Sequence, residues 1–237
     1  MPRRDKYLLV KTGIRRRIAD GEWKPGEKLP AYDRLAELFR VGIGTVRRAV
    51  ETLEGEGVII CRHGSGTYVS SYIKGGYWNR FQRFQRPDGS IIERFRDRIL
   101  LFEVIPASAD IAEKLCIPEG TEVVHWKRRM RFDEKASGLD ESYLVRSIFP
   151  RISAEDFENR ESGQNLYALL EKTDGVLIAS SSDYVRAEML SEEDAQLITL
   201  PAGIPMLVVT RITYDAHGTP CEYRIEKADS RYCRIRL

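Results

Sequence analysis

Leu29–Val69, LPAYDRLAELFRVGIGTVRRAVETLEGEGVIICRHGSGTYV, is the stretch whose reading decides the fold. Leu35, Leu38 and Phe39 fall on one stripe of a short helix from Tyr32 to Phe39, led in by Leu29-Pro30. Its start is poorly capped, because Ala31 stands where Ser or Asp would accept from free amides; Asp33 in the first turn compensates through the helix dipole. Gly42-Ile43-Gly44-Thr45 opens a second helix with a buried stripe of Val46, Ala49, Val50 and Leu53 and an opposite face of Arg47, Arg48 and Glu51. Val58–Ile60 and Thr67–Val69 read as two strands around Arg62-His63-Gly64-Ser65-Gly66, whose glycines permit a tight tip with exposed amides.

Upstream, Tyr7, Val10, Ile14 and Ile18 are spaced as one face of an amphipathic helix over 7–20, ending near Gly21, with Pro25-Gly26 making the turn that follows. A helix, then two short helices joined by a tight turn, then a glycine-tipped hairpin is the order of a winged helix-turn-helix, which places one helix in the major groove of DNA. Small residues at the start of the third helix allow close approach, and Thr45, Arg47 and Arg48 are placed to reach phosphates or base edges. His63, Ser65 and Gly66 at the hairpin tip are placed for backbone phosphates or a minor-groove edge. Tyr32, Arg34 and Ile43 complete the candidate DNA-binding set.

The run from Pro25 to Ser70 resembles the DNA-binding domain of the gluconate-repressor (GntR) family, through Pro25-Gly26, Leu29-Pro30, Leu35-Ala36, Thr45-Val46-Arg47, Leu53, Glu56-Gly57 and Gly64-Ser65-Gly66-Thr67. Two positions depart from that family's pattern. Asp33 stands where an arginine is usual, with Arg34 next to it, and Gly42-Ile43 stands where Ser-Arg is usual; the resemblance implies that both of those arginines contact DNA. Ile43 offers a thymine methyl contact where an arginine would hydrogen-bond guanine, so the expected operator differs from the family's usual one.

Composition fits this reading. Of 237 residues, 42% are hydrophobic and 31% charged, and no apolar run approaches the roughly 18 residues of a membrane span. The N-terminus, MPRRDKYLLV, is too polar for a signal peptide, so a cytoplasmic protein is expected, with no membrane partner. Cys61, Cys116, Cys221 and Cys233 form no C-x-x-C pair, and His63, His125 and His217 are scattered, so reduced thiols, no metal site and no cofactor are expected. Residues 1–72 carry 14 Lys and Arg against 9 Asp and Glu, whereas the remainder carries 24 against 27; a basic first domain suits a polyanion and a near-neutral second domain does not need one.

The expected organisation is a DNA-binding domain at 1–70, a linker at 71–86 in which Trp78, Phe81 and Phe84 dock onto the second domain, and a second domain at 87–237. In the latter, strands are expected at Ile99–Ile105, Glu122–Phe132, Leu139–Val145, Val176–Glu188, Met206–Tyr214 and Pro220–Ala228, with a turn at Asp133–Gly138. Helices are expected at Ala109–Leu115, Ser153–Phe157, Leu166–Glu171 and after the capping sequence Ser191-Glu192-Glu193-Asp194. This is an antiparallel sheet with helices over it, and the whole chain is α+β. Residues from about 90 to 237 resemble the UTRA effector-binding domain of HutC-type GntR regulators. The likeness runs through Ala109–Leu115, Arg129-Met130-Arg131, Glu141–Leu144, Phe149-Pro150, Leu166–Glu171, Leu200–Arg211, Gly218, Pro220 and Glu222. The resemblance implies a sheet related to chorismate lyase, with an effector between the sheet and its covering loops.

Arg129 and Arg131, two apart on a strand, share a face, and paired guanidinium groups recognise carboxylate or phosphate. The resemblance gives these two positions, and the acidic one at Asp140, a part in holding the effector. Tyr143, Glu222 and Arg224 complete the candidate site, with Glu141 facing away from Asp140, and a structural ion-pair network is the competing account of all these charges. The expected function is a homodimeric transcription regulator, a repressor, that binds double-stranded DNA at an inverted repeat and answers to a small anionic metabolite. Two other functions compete. A lyase-like enzyme would need a nucleophile–base pair, phosphate loop or metal spacing that the chain lacks, and an architectural DNA-binding protein would ignore any metabolite.

Overall fold

The computed structural model describes residues 3–71, 81–90, 92, 96–131, 137–158 and 166–236. Trp78 and most of the Asp133–Gly138 turn lie outside the described residues.

The first unit contains α1 (Arg3–Ala19), α2 (Tyr32–Phe39), α3 (Ile43–Gly55), β1 (Ile59–Arg62) and β2 (Gly66–Val69). Val10, Ile14 and Ile18 of α1 pack with Leu35 of α2 and Val46, Ala49, Val50 and Leu53 of α3, all buried. Each fully buried aliphatic side chain contributes about 1.5–3 kcal/mol, so this stripe outweighs the poor cap of α2, whose Ala31 makes no side-chain bond. Asp33 Oδ1 accepts from the Arg34 amide at 2.9 Å, which satisfies one free donor of that first turn. Gly13 is required where it stands, because a Cβ there would come within 2.3 Å of the Phe39 ring. Glu56, just past α3, is gripped by Lys11 and by Arg15 at 3.0 Å, fixing α1 against the end of α3. β1 and β2 pair antiparallel from Ile59↔Val69 to Arg62↔Gly66, and Gly64 and Gly66 at the tip hold positive φ.

The second unit is a six-stranded antiparallel sheet in the order β4-β5-β6-β9-β8-β7. Its strands are β4 (Arg96–Pro106), β5 (Glu122–Arg131), β6 (Ser137–Val145), β7 (Ile178–Met189), β8 (Pro205–Asp215) and β9 (Pro220–Asp229). The helices are α4 (Ala109–Leu115), α5 (Ala154–Glu158), α6 (Leu166–Asp174) and α7 (Glu192–Ile198). Ser108 and Ser191 cap α4 and α7, each accepting from the amide three residues on. Two short strands, β3 (Phe84–Gln85) and β10 (Arg234–Ile235), pair with each other; neither carries an alternating pattern long enough to be read in advance.

Alternation divides the sheet into two faces. The outer face carries Val123, Leu139, Val145, Tyr223, Ile225 and Val208 and is covered by α4 and α7. The inner face is apolar at both ends. At one end Val124, Trp126 and Leu144 pack with Phe157 of α5 and Leu166 and Leu170 of α6. At the other, Met130, Val209 and Ala228 pack with Phe84, Ile92 and Cys233. Between these two patches the inner face is charged.

Candidate functional site

The charged middle of the inner face is built by register. β5 and β6 pair without a bulge, so Arg128 stands opposite Asp140, and β9 brings Glu226 beside Asp140 and Arg224 beside Ser142. The Asp140 carboxylate accepts from Arg128 Nε at 2.6 Å, Arg224 Nε at 2.9 Å and Arg224 Nη2 at 2.7 Å, and both guanidiniums and the carboxylate are buried. Arg224 also donates to Glu226 at 2.7 Å. One strand over, Arg211 of β8 forks onto Asp183 of β7 at 2.7 and 2.9 Å, and Arg83 reaches the same carboxylate at 2.7 Å. Burial alone would lower the basicity of Arg224 and Arg211; their carboxylate neighbours outweigh it and hold both firmly charged.

Glu222 is the exception on this face. Tyr167 of α6 donates to its Oε2 at 3.0 Å and Thr213 at 3.3 Å, while Oε1 is buried and has no hydrogen-bond partner among the described residues. Burial pushes the Glu222 carboxyl above the usual carboxylate range, and the charge on Asp140 adds to this against the nearby arginines. Nε1 of the buried Trp126, on the same face, is likewise without a partner among the described residues. Ser181 Oγ of β7, opposite Thr213 on this face, also lacks a hydrogen-bond partner among the described residues, and buried polar atoms are nearly always satisfied, so this face asks for an occupant.

The inner face is also joined to the chain segment that leads back to the first unit. Arg211 Nη2 donates to the Phe81 carbonyl at 2.6 Å, and the Phe81 ring packs edge-on against Tyr167 at 5.5 Å. Ser71, just past the hairpin, donates to the buried Glu171 of α6 at 2.7 Å.

Asp140, Glu222 and Arg224 thus lie on one face, as the strand period requires. Arg129, Arg131 and Tyr143 do not join them. Both arginines share a face, but it is the outer one: Arg129 reaches Thr199 at the end of α7 at 3.4 Å, and Arg131 is exposed. Tyr143 is on the outer face too, stacked on His125 at 4.5 Å and donating to Glu141 at 2.9 Å. The grouping of Arg129 and Arg131 with Asp140 is therefore corrected: the register leaves them one residue out of phase, and Arg128 occupies the position assigned to them. Within Lys127-Arg128-Arg129-Met130-Arg131 charge alone cannot fix the phase; the buried Trp126 and Met130, both on the parity of Arg128, could have. Arg211, Asp183 and Tyr167 were also missed, because their roles depend on neighbours brought together only by the sheet.

On the first unit, α3 begins at Ile43 with Gly42 as an uncapped lead-in, and Ile43, Arg47 and Arg48 are exposed while Thr45 is half-buried. Arg48 lies over the Tyr7 ring at 5.0 Å, and these two with Gly42, Gly44 and Thr45 line an open pocket of about 330 Å³. His63, Ser65 and Gly66 are exposed on the hairpin tip, where Ser65 and Tyr68 hydroxyls meet at 2.7 Å and Arg62 covers the Tyr68 ring at 4.9 Å. Tyr32 turns its hydroxyl toward Cys61 of β1 at 3.9 Å, and the exposed Arg34 pairs with Glu37 at 3.0 Å. Among the described residues no cluster of His, Cys, Asp and Glu is grouped to hold a metal ion, and no helix is long and apolar enough to cross a membrane.

Residues 6–69 match the family described as bacterial regulatory proteins, gntR family, and residues 94–230 match the UTRA domain. The mannosyl-D-glycerate transport/metabolism system repressor MngR of Escherichia coli (strain K12) is 30% identical over 224 residues, covering 92% of this chain and 88% of its own. The ligand-binding domain of a GntR-family transcriptional regulator from Bordetella bronchiseptica is similar with a TM-score of 0.62 at 27% identity, over 67% of this chain and 96% of that one. YydK of Bacillus subtilis subsp. subtilis str. 168 is similar in fold over 98% of both chains, with a TM-score of 0.57 at 24% identity.

Proposed function

Because the chain belongs to the GntR family of bacterial regulators and carries a UTRA domain, we propose that it is a homodimeric repressor released from its operator by a small polar metabolite on the inner face of the sheet. It is a transcriptional regulator that binds DNA through its helix-turn-helix, not an enzyme. Repression is supported by the name of MngR, a repressor. The proposed division is 1–70, 71–86 and 87–237, and matches over 6–69 and 94–230 support it.

The observation that carries the effector reading is the unpartnered Glu222 Oε1 beside a network whose arginines each hold a carboxylate. The inner-face arginines Arg128, Arg211 and Arg224 each already hold a carboxylate, which leaves them little attraction for an anion. The anionic effector expected from Arg129 and Arg131 loses its basis with their place on the outer face. We therefore assign a hydroxyl-rich ligand, exchanging hydrogen bonds with Glu222 and the Trp126 indole. MngR is named for a mannosyl-glycerate, which is rich in hydroxyls and also carries a carboxylate, so the name agrees with hydroxyl recognition without excluding an anion. The contacts from Glu222 through Tyr167 to Phe81, and from Arg211 to Phe81, give such a ligand a route to the linker. A hundredfold release of DNA needs about 2.7 kcal/mol of differential affinity between the two conformations.

On the DNA side, the proposed contacts are Tyr32, Arg34, Ile43, Thr45, Arg47, Arg48, His63, Ser65 and Gly66. Arg47 is exposed and makes no ion pair among the described residues that would compete with a phosphate. Arg47→Ala is expected to weaken binding to all duplexes about equally and to lower the salt dependence by about one charge per DNA-binding unit. A titration of duplex DNA at several salt concentrations checks this; an unchanged salt slope would remove Arg47 from the interface.

One recognition helix reads only a few base pairs, and two-fold pairing on an inverted repeat is the usual route to adequate specificity. Sedimentation at micromolar concentration is expected to give twice the chain mass, with the sheet domains carrying the main contact. A monomer at that concentration would contradict the dimer.

A further inference from the structure

We infer that Ile43 makes this regulator a reader of pyrimidine 5-methyl groups, distinguishing thymine from a pyrimidine without the methyl at one position of each operator half-site. The inference rests on the DNA-binding reading above and deepens it: the thymine contact that the sequence suggests for Ile43 becomes a requirement for the 5-methyl group itself, on thymine or on cytosine.

Ile43 is the first residue of α3 and is 49% exposed, although every other aliphatic side chain of that helix is buried. Val46, Ala49, Val50 and Leu53 make the core stripe, and Ile43 takes no part in it. The residues on either side, Gly42 and Gly44, open onto empty space: a Cβ built on either meets nothing within 4 Å. Ile43 is therefore the only side chain projecting from residues 42–44. This local sequence is poor for a helix start, with no side-chain cap, a β-branched residue in the first turn and a glycine after it. Helix stability does not account for that choice, whereas close approach of backbone to a surface does.

A single exposed isoleucine needs no explanation on most surfaces. Here it stands in the first turn of the second helix of a helix-turn-helix, the part that meets base edges in the major groove. An isoleucine has no donor or acceptor, so it cannot read the hydrogen-bonding pattern of any base pair. The apolar feature the major groove offers is the C5-methyl of thymine. The methyl of 5-methylcytosine occupies the same place on the ring, so the same contact should respond to cytosine methylation.

The test uses the full chain. Duplexes enriched from a random library supply the preferred half-site, and each thymine in it is then replaced singly by deoxyuridine, which removes the methyl and leaves the pairing edge intact. One thymine per half-site is expected to lose about fourfold in affinity on that change, the equilibrium weight of one buried CH₂-sized group. With cytosine placed at that position, 5-methylation is expected to raise affinity by a similar factor. In Ile43→Ala both differences should vanish, with the thymine duplex falling to about the affinity the parent shows for the deoxyuridine one, and Ile43→Val, which keeps part of the surface, should retain part of each. Ile43 lies outside the core, so these variants keep the fold. Enrichment without any thymine-to-uracil difference, or a difference that survives in Ile43→Ala, would overturn the inference and leave the DNA-binding reading standing. Failure to enrich any duplex would overturn that reading itself.

Discussion

Asp140→Ala is expected to lower the stability of the sheet domain by about 3–5 kcal/mol, the usual consequence of removing one partner from a buried ion pair. Asp140 is fully buried, and its two oxygens accept from Arg128, from Arg224 and, at the longer distance of 3.3 Å, from Ser142. Alanine withdraws the shared counter-charge from two buried guanidiniums that cannot lose their protons. Arg224 keeps Glu226, so the loss is a rearrangement of charge as well as a cavity. For a domain of this size the change corresponds to a fall in melting temperature of about 6–20 °C. Urea denaturation of a full chain in which the buried Trp126 is the only tryptophan kept, Trp23 and Trp78 being replaced by Phe, followed by its fluorescence, checks it. A loss under about 1 kcal/mol would mean that the arginines find water or other carboxylates, and that the network is looser than its distances indicate.

The same residue shows how far the sequence could be read. The first unit was legible almost throughout, since its signals are local: apolar residues three and four apart, glycines at the hairpin tip, prolines before a helix. The stripe of Val46, Ala49, Val50 and Leu53 is buried as its spacing requires, and Ala31 is the weak cap it reads as. The strands of the second unit were legible to within a few residues, because each alternates or is bounded by turn residues. Their mutual phase was not. Val123 to Trp126 are buried in succession, which hides the alternation that would show which arginine shares the parity of Asp140. A slip of one residue exchanged the outer-face Arg129 and Arg131 for the inner-face Arg128. Contacts of long separation were beyond reach altogether: Arg211 and Phe81 are 130 residues apart, and neither carries a mark of the other. Asp140, Glu222 and Arg224, by contrast, were chosen as chemistry and do come together, as a network that stabilises the fold around one unsatisfied carboxyl.

That carboxyl should respond to substitution in the opposite sense from Asp140. Glu222→Gln is expected to leave the protein as stable as the parent at pH 4 and make it more stable at pH 8. The sign follows from linkage. The folded pKa of Glu222 lies above its ordinary value of 4.5, raised by burial first and by Asp140 second. Below pH 4.5 the carboxyl is protonated in both folded and unfolded chains and costs nothing extra. As the pH rises from there toward the folded pKa, the unfolded chain loses the proton first, and stability falls by up to about 1.4 kcal/mol per pH unit. Above the folded pKa the accumulated cost is constant. Glutamine has no proton to lose, so its stability should not carry that slope. Its amide oxygen can still accept from Tyr167 and Thr213, which keeps the local geometry. Urea midpoints of the two proteins across pH 4–8 measure the difference directly. The DNA-binding helices are remote in sequence from this change, so operator affinity without metabolite should be unaltered. Release by metabolite should be weakened, because the amide puts donors where the proposed ligand would meet a carboxyl. A variant less stable than the parent at pH 8 would mean that Glu222 is ionised and paired in the fold. It would then be one more member of the structural network, and the inner face would have no vacancy for a ligand hydroxyl.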